Sequence, residues 1–171
     1  MIKRLIFEHA QTLPVPSTLD AEALLWAVYR CEKYDKHNKV PRFEKAFAEG
    51  GRYYKASEFV RELCKTWGTF ASCSYSNFQI LFITACELGY EGPPLALDHD
   101  SVALPYVTRY IHKRILHRGA KTVEEVADAY NSGTHLDANV PTRYIKKFRK
   151  FYDYHLKELK GCRGTIKEPT D

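Results

Sequence analysis

Residues Leu24–Tyr34 read LLWAVYRCEKY, and the rest of the chain can be read outward from them. The run has the character of the second half of a helix. Leu25, Val28 and Tyr29 precede Glu32 by seven, four and three residues, so at helical spacing the four share one face. That face is apolar apart from Glu32. A carboxylate among aliphatic and aromatic groups is poorly solvated, which favours its neutral form and predicts a raised pKa. A carboxylic acid that keeps its proton near neutral pH is suited to general acid catalysis. The plainer reading is that Glu32 lies near a helix end and reaches water.

The chain has 171 residues, enough for one domain with a real core. Hydrophobic residues make up 44%, a globular composition. No apolar run approaches the roughly 20 residues of a membrane-spanning helix. In the N-terminal stretch Glu8 and His9 interrupt before a signal-peptide core could form, so synthesis in the cytoplasm without cleavage is expected. The formal charge of +5 favours polyanionic partners such as nucleic acid, anionic membrane or wall polymer, or serves solubility alone. Five cysteines, at 31, 64, 73, 86 and 162, are widely spaced. They contain no C-x-x-C and no zinc-like Cys/His pair, and are expected to be reduced, mostly buried thiols. No metal and no cofactor is expected.

Residues 1–16 read as a lead-in with one short helix, Ile2 to Ala10, ended by Pro14 and Pro16. Ser17 to Asp20 supply N-cap chemistry for a helix over about 19–34. Pro41 and Gly50-Gly51 then break helix, leaving an irregular segment, at most a short hairpin, near residues 40–55. Ser57 caps a second helix to about Trp67, with Phe59, Val60, Leu63, Cys64 and Trp67 as its stripe. After a small-residue turn, FQILFITACELGY reads as a buried helix ending near Gly89, with Gln79 as its polar exception. A loop precedes a helix reaching about His117, with Pro105 in its first turn or kinking it. Thr122 to Glu125 is a capping box, and Asn131 and Gly133 end the helix it starts. The last helix, about Thr142–Leu159, has Ile145, Phe148, Tyr152, Leu156 and Leu159 as its core stripe. Its other face carries Arg143, Lys146, Lys147, Arg149, Lys150 and Lys157, a pattern that is usually a solvated surface. Residues 161–171 read as a disordered tail. The predicted class is mostly α, with about seven helices in one domain over residues 17–160.

Four stretches, in order, resemble motifs of the lytic transglycosylase and goose-type lysozyme superfamily. Cys31-Glu32-Lys33 is similar to the Glu-Ser that ends the family's first helix. Residues 74–80, SYSNFQI, are similar to its Gly-Leu-Met-Gln stretch, with Gln79 on the Gln and Phe78 on the Met. Residues 129–133, AYNSG, match Ala-Tyr-Asn-x-Gly. Residues 140–147, VPTRYIKK, are similar to its closing Pro-x-Thr-x-x-Tyr-Val-x-Lys, with shorter spacing. Residues 41–47, PRFEKAF, also resemble a Phe-Glu segment of phage N-acetylmuramidases. Lys33 replaces the usual Ser, and Ser76 the usual Gly.

The resemblance implies a lysozyme-like helical domain that cleaves the bond between N-acetylmuramic acid and N-acetylglucosamine in peptidoglycan. Glu32 would be the general acid. Gln79, Tyr130, Asn131, Ser74, Phe78 and Tyr144 would contact substrate, and Glu44 is the possible second carboxylate of a hydrolytic variant. Asp35, Asp98 and Asp137 carry no motif support. In a transglycosylase the same Glu acts as acid and then as base, and no water is consumed. The implied partner is the glycan strand, with no nucleic acid, for a monomer acting on the cell wall as a phage lysin or virion-associated enzyme. The rivals from other classes are a helical nucleic-acid-binding module using the basic face of the last helix, and an inactive structural protein of a virion or secretion apparatus.

Overall fold

The structure, a computed structural model, describes residues 1–33, 41–133 and 142–161. Among these run eight α-helices: α1 (Ile2–Ala10), α2 (Ala21–Glu32), α3 (Arg52–Ala56), α4 (Glu58–Trp67), α5 (Phe82–Glu87), α6 (Asp100–Tyr110), α7 (Val123–Ser132) and α8 (Arg143–Leu159). Three short strands, β1 (Arg42–Phe43), β2 (Cys73–Tyr75) and β3 (Ile80–Leu81), form one antiparallel sheet in that order. The fold is therefore mostly helical, as the periodicity predicts. The tail read as disordered lies outside the described residues apart from its first position, as do Asp35, Asp137 and the loop before Thr142.

The chain gathers into two compact units, one of residues 1–32 with 108 onward, the other of residues 33–107. No linker composition marks these boundaries, and the second falls inside α6.

The first unit is built on α2. Ala23, Leu24, Leu25, Ala27 and Val28 are all completely buried, and α8 lies along this helix, with α1 against α2 and α7 against α8. Burying a Leu or Val side chain contributes about 1.5–3 kcal/mol, so Leu24, Leu25 and Val28 make this face of α2 a substantial part of the unit's core. The Asp20 carboxylate accepts from the Ala23 amide at 2.8 Å, and the Asp20 amide donates to the Tyr152 hydroxyl at 2.8 Å. The start of α2 is thus capped and tied to α8 together. The core face of α8 consists of Ile145, Phe148, Phe151, Tyr152 and His155. It ends one turn earlier than the apolar pattern predicts, since Leu159 is exposed.

Helix α7 starts as expected. The Thr122 hydroxyl accepts from the Glu125 amide at 3.2 Å, and the Glu125 carboxylate accepts from the Thr122 amide at 3.0 Å. It stops at Gly133, whose φ of 81° is the left-handed conformation that favours glycine. The helix predicted to reach His117 does so with changing pitch. Pro105 sits inside α6, beyond its first turn; a π turn follows over Ile111–Ile115 and a 3₁₀ turn over Leu116–Arg118. The missing Pro105 N–H removes one bond of the helical ladder.

The second unit departs further from expectation. The run FQILFITACELGY is not one helix. Phe78 and Gln79 finish a turn, Ile80 pairs with Tyr75 across β2–β3, and only Phe82–Glu87 is helical. The hairpin thus lies at 73–81, while residues 42–43 add the third strand, pairing Arg42 with Ser74 and Phe43 with Cys73. Ser57 caps α4 by accepting from the Val60 amide, but Val60 is the only buried residue of that helix. Phe59 and Trp67, expected in its core stripe, are exposed. Of the four described cysteines, only Cys73 is buried.

The capping box gives a direct test. Thr122→Ala removes one of its two reciprocal bonds and should cost about 1 kcal/mol, read as a lower melting temperature with an unchanged circular dichroism spectrum. An unshifted melt would show that the cap contributes nothing to stability.

Candidate functional site

Glu32 is the last residue of α2 and half-buried. The Tyr144 hydroxyl donates to its Oε1 at 2.5 Å, across 112 residues of chain. Tyr144 stands in the first turn of α8, which Thr142 caps by accepting from the Ile145 amide at 3.2 Å. That cap fixes where the turn begins, and so where the phenol is offered. A hydrogen bond to a charged group contributes about 1.5–3 kcal/mol, more than most surface contacts.

The Tyr144 phenol is held well above the ordinary tyrosine range. Burial is the main cause, and the neighbouring Glu32 charge adds to it, followed by Cys31, the bond to Glu32 and Tyr130. Tyr144 is therefore a donor that keeps its proton. The two effects on Glu32 run in opposite directions: burial favours a neutral carboxyl, whereas a donated hydrogen bond favours the carboxylate.

Tyr130 belongs to the same group. It is half-buried on α7 and acts electrostatically on Tyr144. The Tyr110 ring meets it edge-on, centroids 5.6 Å apart, and the Tyr110 hydroxyl donates to the Ala129 carbonyl at 3.5 Å. Tyr110 neighbours the site from outside the motif matches, and Cys31 lies inside the first of them but was given no role. Tyr110 stood out in the sequence only as one aromatic within a helical stretch, a weak signal. Asn131 is exposed in the last turn of α7.

The second unit holds the remaining residues singled out in the sequence. Gln79 closes the β2–β3 turn with φ 51°, and Ser76 opens it with φ 65°. A non-glycine residue in the left-handed region costs about 1–2 kcal/mol, so the turn must be held by its surroundings. Four bonds hold it. The Ser76 hydroxyl accepts from the Phe78 amide at 3.1 Å, and the Ser76 carbonyl accepts from the Gln79 side-chain amide at 2.9 Å. Asp100 accepts from both the backbone and the side-chain nitrogen of Asn77, at 3.1 and 2.9 Å. Ser76 stands where the resembled motif has Gly, and it adopts the backbone conformation that glycine reaches without cost. Strain that is fixed by its surroundings is a common mark of functional sites. The Asp100 clamp was not read from the sequence, where that residue fell at the end of a loop.

Ser74 and Phe78 are 3% and 0% exposed, so both pack inside this unit instead of presenting a surface to substrate. Glu44 is engaged locally. Its Oε1 accepts from Arg42 Nε at 2.6 Å and from the Ser74 hydroxyl at 3.4 Å, and its amide donates to the Ser72 carbonyl. Asp98 is exposed at the end of a 3₁₀ turn. Among the described residues no group of three His, Cys, Asp or Glu could hold a metal ion, and no helix is long and apolar enough to cross a membrane.

Comparisons with protein-family models, with curated proteins and with solved structures returned no significant match.

The raised phenol of Tyr144 has a consequence at alkaline pH. The folded chain holds this proton more tightly than the unfolded chain, whose tyrosines titrate near 10. Stability should therefore fall as pH rises above that value. Tyr144→Phe should flatten this alkaline loss and leave the phenolate absorbance appearing near pH 10 unchanged. A smaller phenolate signal in the variant would mean that Tyr144 titrates as an ordinary exposed tyrosine.

Proposed function

We propose that this chain cleaves the β-glycosidic bond between N-acetylmuramic acid and N-acetylglucosamine in bacterial peptidoglycan, with Glu32 as the catalytic acid and then base. The observation that carries this reading is the Tyr144–Glu32 hydrogen bond. Glu32 and Tyr144 were matched to the first and last of four motifs, from opposite ends of the chain. Tyr130, from the third, lies within electrostatic reach of Tyr144. A fortuitous set of short matches gives no reason for these side chains to meet.

The bond orients the Glu32 carboxyl. Tyr144 holds it at Oε1. Glu32 gives its proton to the bridging oxygen, and the bond breaks through an oxocarbenium-like state. The phenol stabilises the carboxylate left behind, and its high pKa prevents it from losing its own proton. The carboxylate then takes a proton from the hydroxymethyl group of the muramic acid as that oxygen closes on the anomeric carbon. The products are a 1,6-anhydromuramyl end and a free hydroxyl on the departing sugar. Glu32 regains its proton and no water is consumed.

The engagement of Glu44 favours this route over hydrolysis. An inverting hydrolase needs a carboxylate to activate water, and a retaining one needs a carboxylate nucleophile. Glu44 is bound to Arg42 and Ser74. Gln79 suits an acetamido group, because a side-chain amide can both donate and accept. Asn131 offers the same chemistry, and Tyr130 an aromatic face for a sugar ring. The natural setting for such an activity is lysis or penetration of the wall by a phage.

Clearing of a suspension of purified walls tests the reading. Glu32→Gln should reduce the rate about 10²–10⁴-fold, the range for a lost general acid, with the melting temperature nearly unchanged. Tyr144→Phe should cost about tenfold, and Glu44→Gln should leave most of the rate. Clearing by Glu32→Gln at the wild-type rate would remove Glu32 from the chemistry.

A further inference from the structure

The β2–β3 turn ends in a side chain whose two polar ends are not equivalent. The Gln79 side-chain amide meets the Ser76 carbonyl at 2.9 Å, and the Gln79 backbone amide donates to the same oxygen at 3.2 Å. A carbonyl oxygen can only accept, so the end of the side chain that faces it must be Nε2. The way round of the amide is thereby fixed by chemistry. Oε1 is the other end. It has no hydrogen-bond partner among the described residues, and Gln79 is half-buried, so this oxygen is an acceptor that a ligand can reach.

Asp100 holds the turn in this form. Its Oδ1 accepts from the Asn77 backbone amide at 3.1 Å, and its Oδ2 accepts from Asn77 Nδ2 at 2.9 Å. An Asp in the first turn of a helix ordinarily serves that helix, by capping its amides or complementing its dipole. Here both oxygens go instead to a residue 23 positions earlier. The helix that carries Asp100 is firmly seated, since Ala103, Leu104 and Val107 are completely buried. Next to Asn77 the side chain of Phe78 is completely buried as well. Asn77 is therefore gripped while its neighbour is plugged into the core, and the flanking Ser76 and Gln79 are kept at φ 65° and 51°. Local preference opposes both values. A change of φ at either flank would carry the Ser76 carbonyl away from Gln79 Nε2 and release the amide.

We propose that Asp100 is a positioning residue for ligand recognition: by clamping Asn77 it sets Gln79 Oε1 as the acceptor for the N–H of a sugar acetamido group. This rests on the glycan-cleaving reading, which supplies an N-acetylated ligand, and adds to it the atom that reads this group and the residue that fixes that atom. Asp100 has no further part to play in the chemistry, because both of its oxygens are committed to Asn77. An acceptor that is already oriented loses little freedom on binding, which is how a clamp remote from the ligand improves affinity.

A double-mutant cycle on ligand affinity separates this role from plain support of the fold. The probe is the β-1,4-linked tetrasaccharide of N-acetylglucosamine, titrated calorimetrically into Glu32→Gln protein so that nothing is cleaved. Gln79→Ala and Asp100→Asn should each weaken binding about tenfold, the fold-change of one hydrogen bond. In the Gln79→Ala protein, Asp100→Asn should cause no further loss, because the acceptor it positions is gone. Asp100→Asn alone sets two N–H donors against each other at Asn77 Nδ2. The exchange Asn77→Asp/Asp100→Asn restores both bonds with the side-chain roles reversed, and should recover the lost affinity. Should Asp100→Asn fail to fold, Asn77→Ala, which removes only the side-chain half of the clamp, takes its place in the cycle. Losses that multiply in the double variant would overturn the proposal. So would single variants that bind as tightly as their parent, an exchange that restores nothing, or a parent that does not bind the tetrasaccharide. Because no cleavage is measured, each of these outcomes leaves the glycan-cleaving reading to be decided separately, by wall clearing with the unaltered chain.

Discussion

A phenol proton held between Tyr144 and Glu32 joins the last residue of α2 to the first turn of α8, and this constraint organises the first unit. The bond forms only if both helices end where they do. Asp20 starts α2 and is tied to Tyr152 of α8, and Thr142 starts α8 two residues before the phenol. Between these points the buried faces of α2 and α8 fix their relative register. A shift of one residue in either helix would turn the carboxyl or the phenol by about 100° and separate them. The apolar packing therefore sets a polar contact that neither helix could specify alone. Tyr110 and Tyr130 add to the same corner through an edge-on contact.

The second unit uses a different device. Its β2–β3 turn holds Ser76 and Gln79 in left-handed backbone, a state that local preference opposes. It persists because Asp100 grips Asn77 twice and because Ser76 supplies both an acceptor hydroxyl and an acceptor carbonyl. Energy is spent here on the shape of one short turn, and the result is a Gln side chain anchored at its amide nitrogen.

The helices of the first unit were legible because their start and stop signals are local. Asp20, the Thr122–Glu125 box, Gly133 and Thr142 act within a turn or two, and each worked as its chemistry predicts. The hairpin was not legible for the converse reason. Ile80, Leu81 and Phe82 are as apolar as a buried helix requires, and their division into strand and helix depends on pairing with Tyr75 and on the conformation of Gln79. Neither leaves a trace in periodicity. Similarly, α4 has a strong apolar stripe, yet burial is decided by what lies against it, and only Val60 is enclosed. At the site, Glu32 stood out as a lone acid on an apolar face, and Tyr144 through its motif. The hydrogen bond between them, the Asp100 clamp and the pairing of Glu44 with Arg42 are long-range or conformational facts, and no residue pattern carries them.

The central claim is that one carboxyl group, held by one phenol, is enough for bond cleavage without water. The most direct test is mass spectrometry of the fragments released from purified walls, with and without borohydride treatment. The account predicts muramyl ends lighter than hydrolytic ends by one water and unchanged by borohydride. Ends that are reducible throughout would show that water attacks the sugar, and would require a second catalytic group beside Glu32.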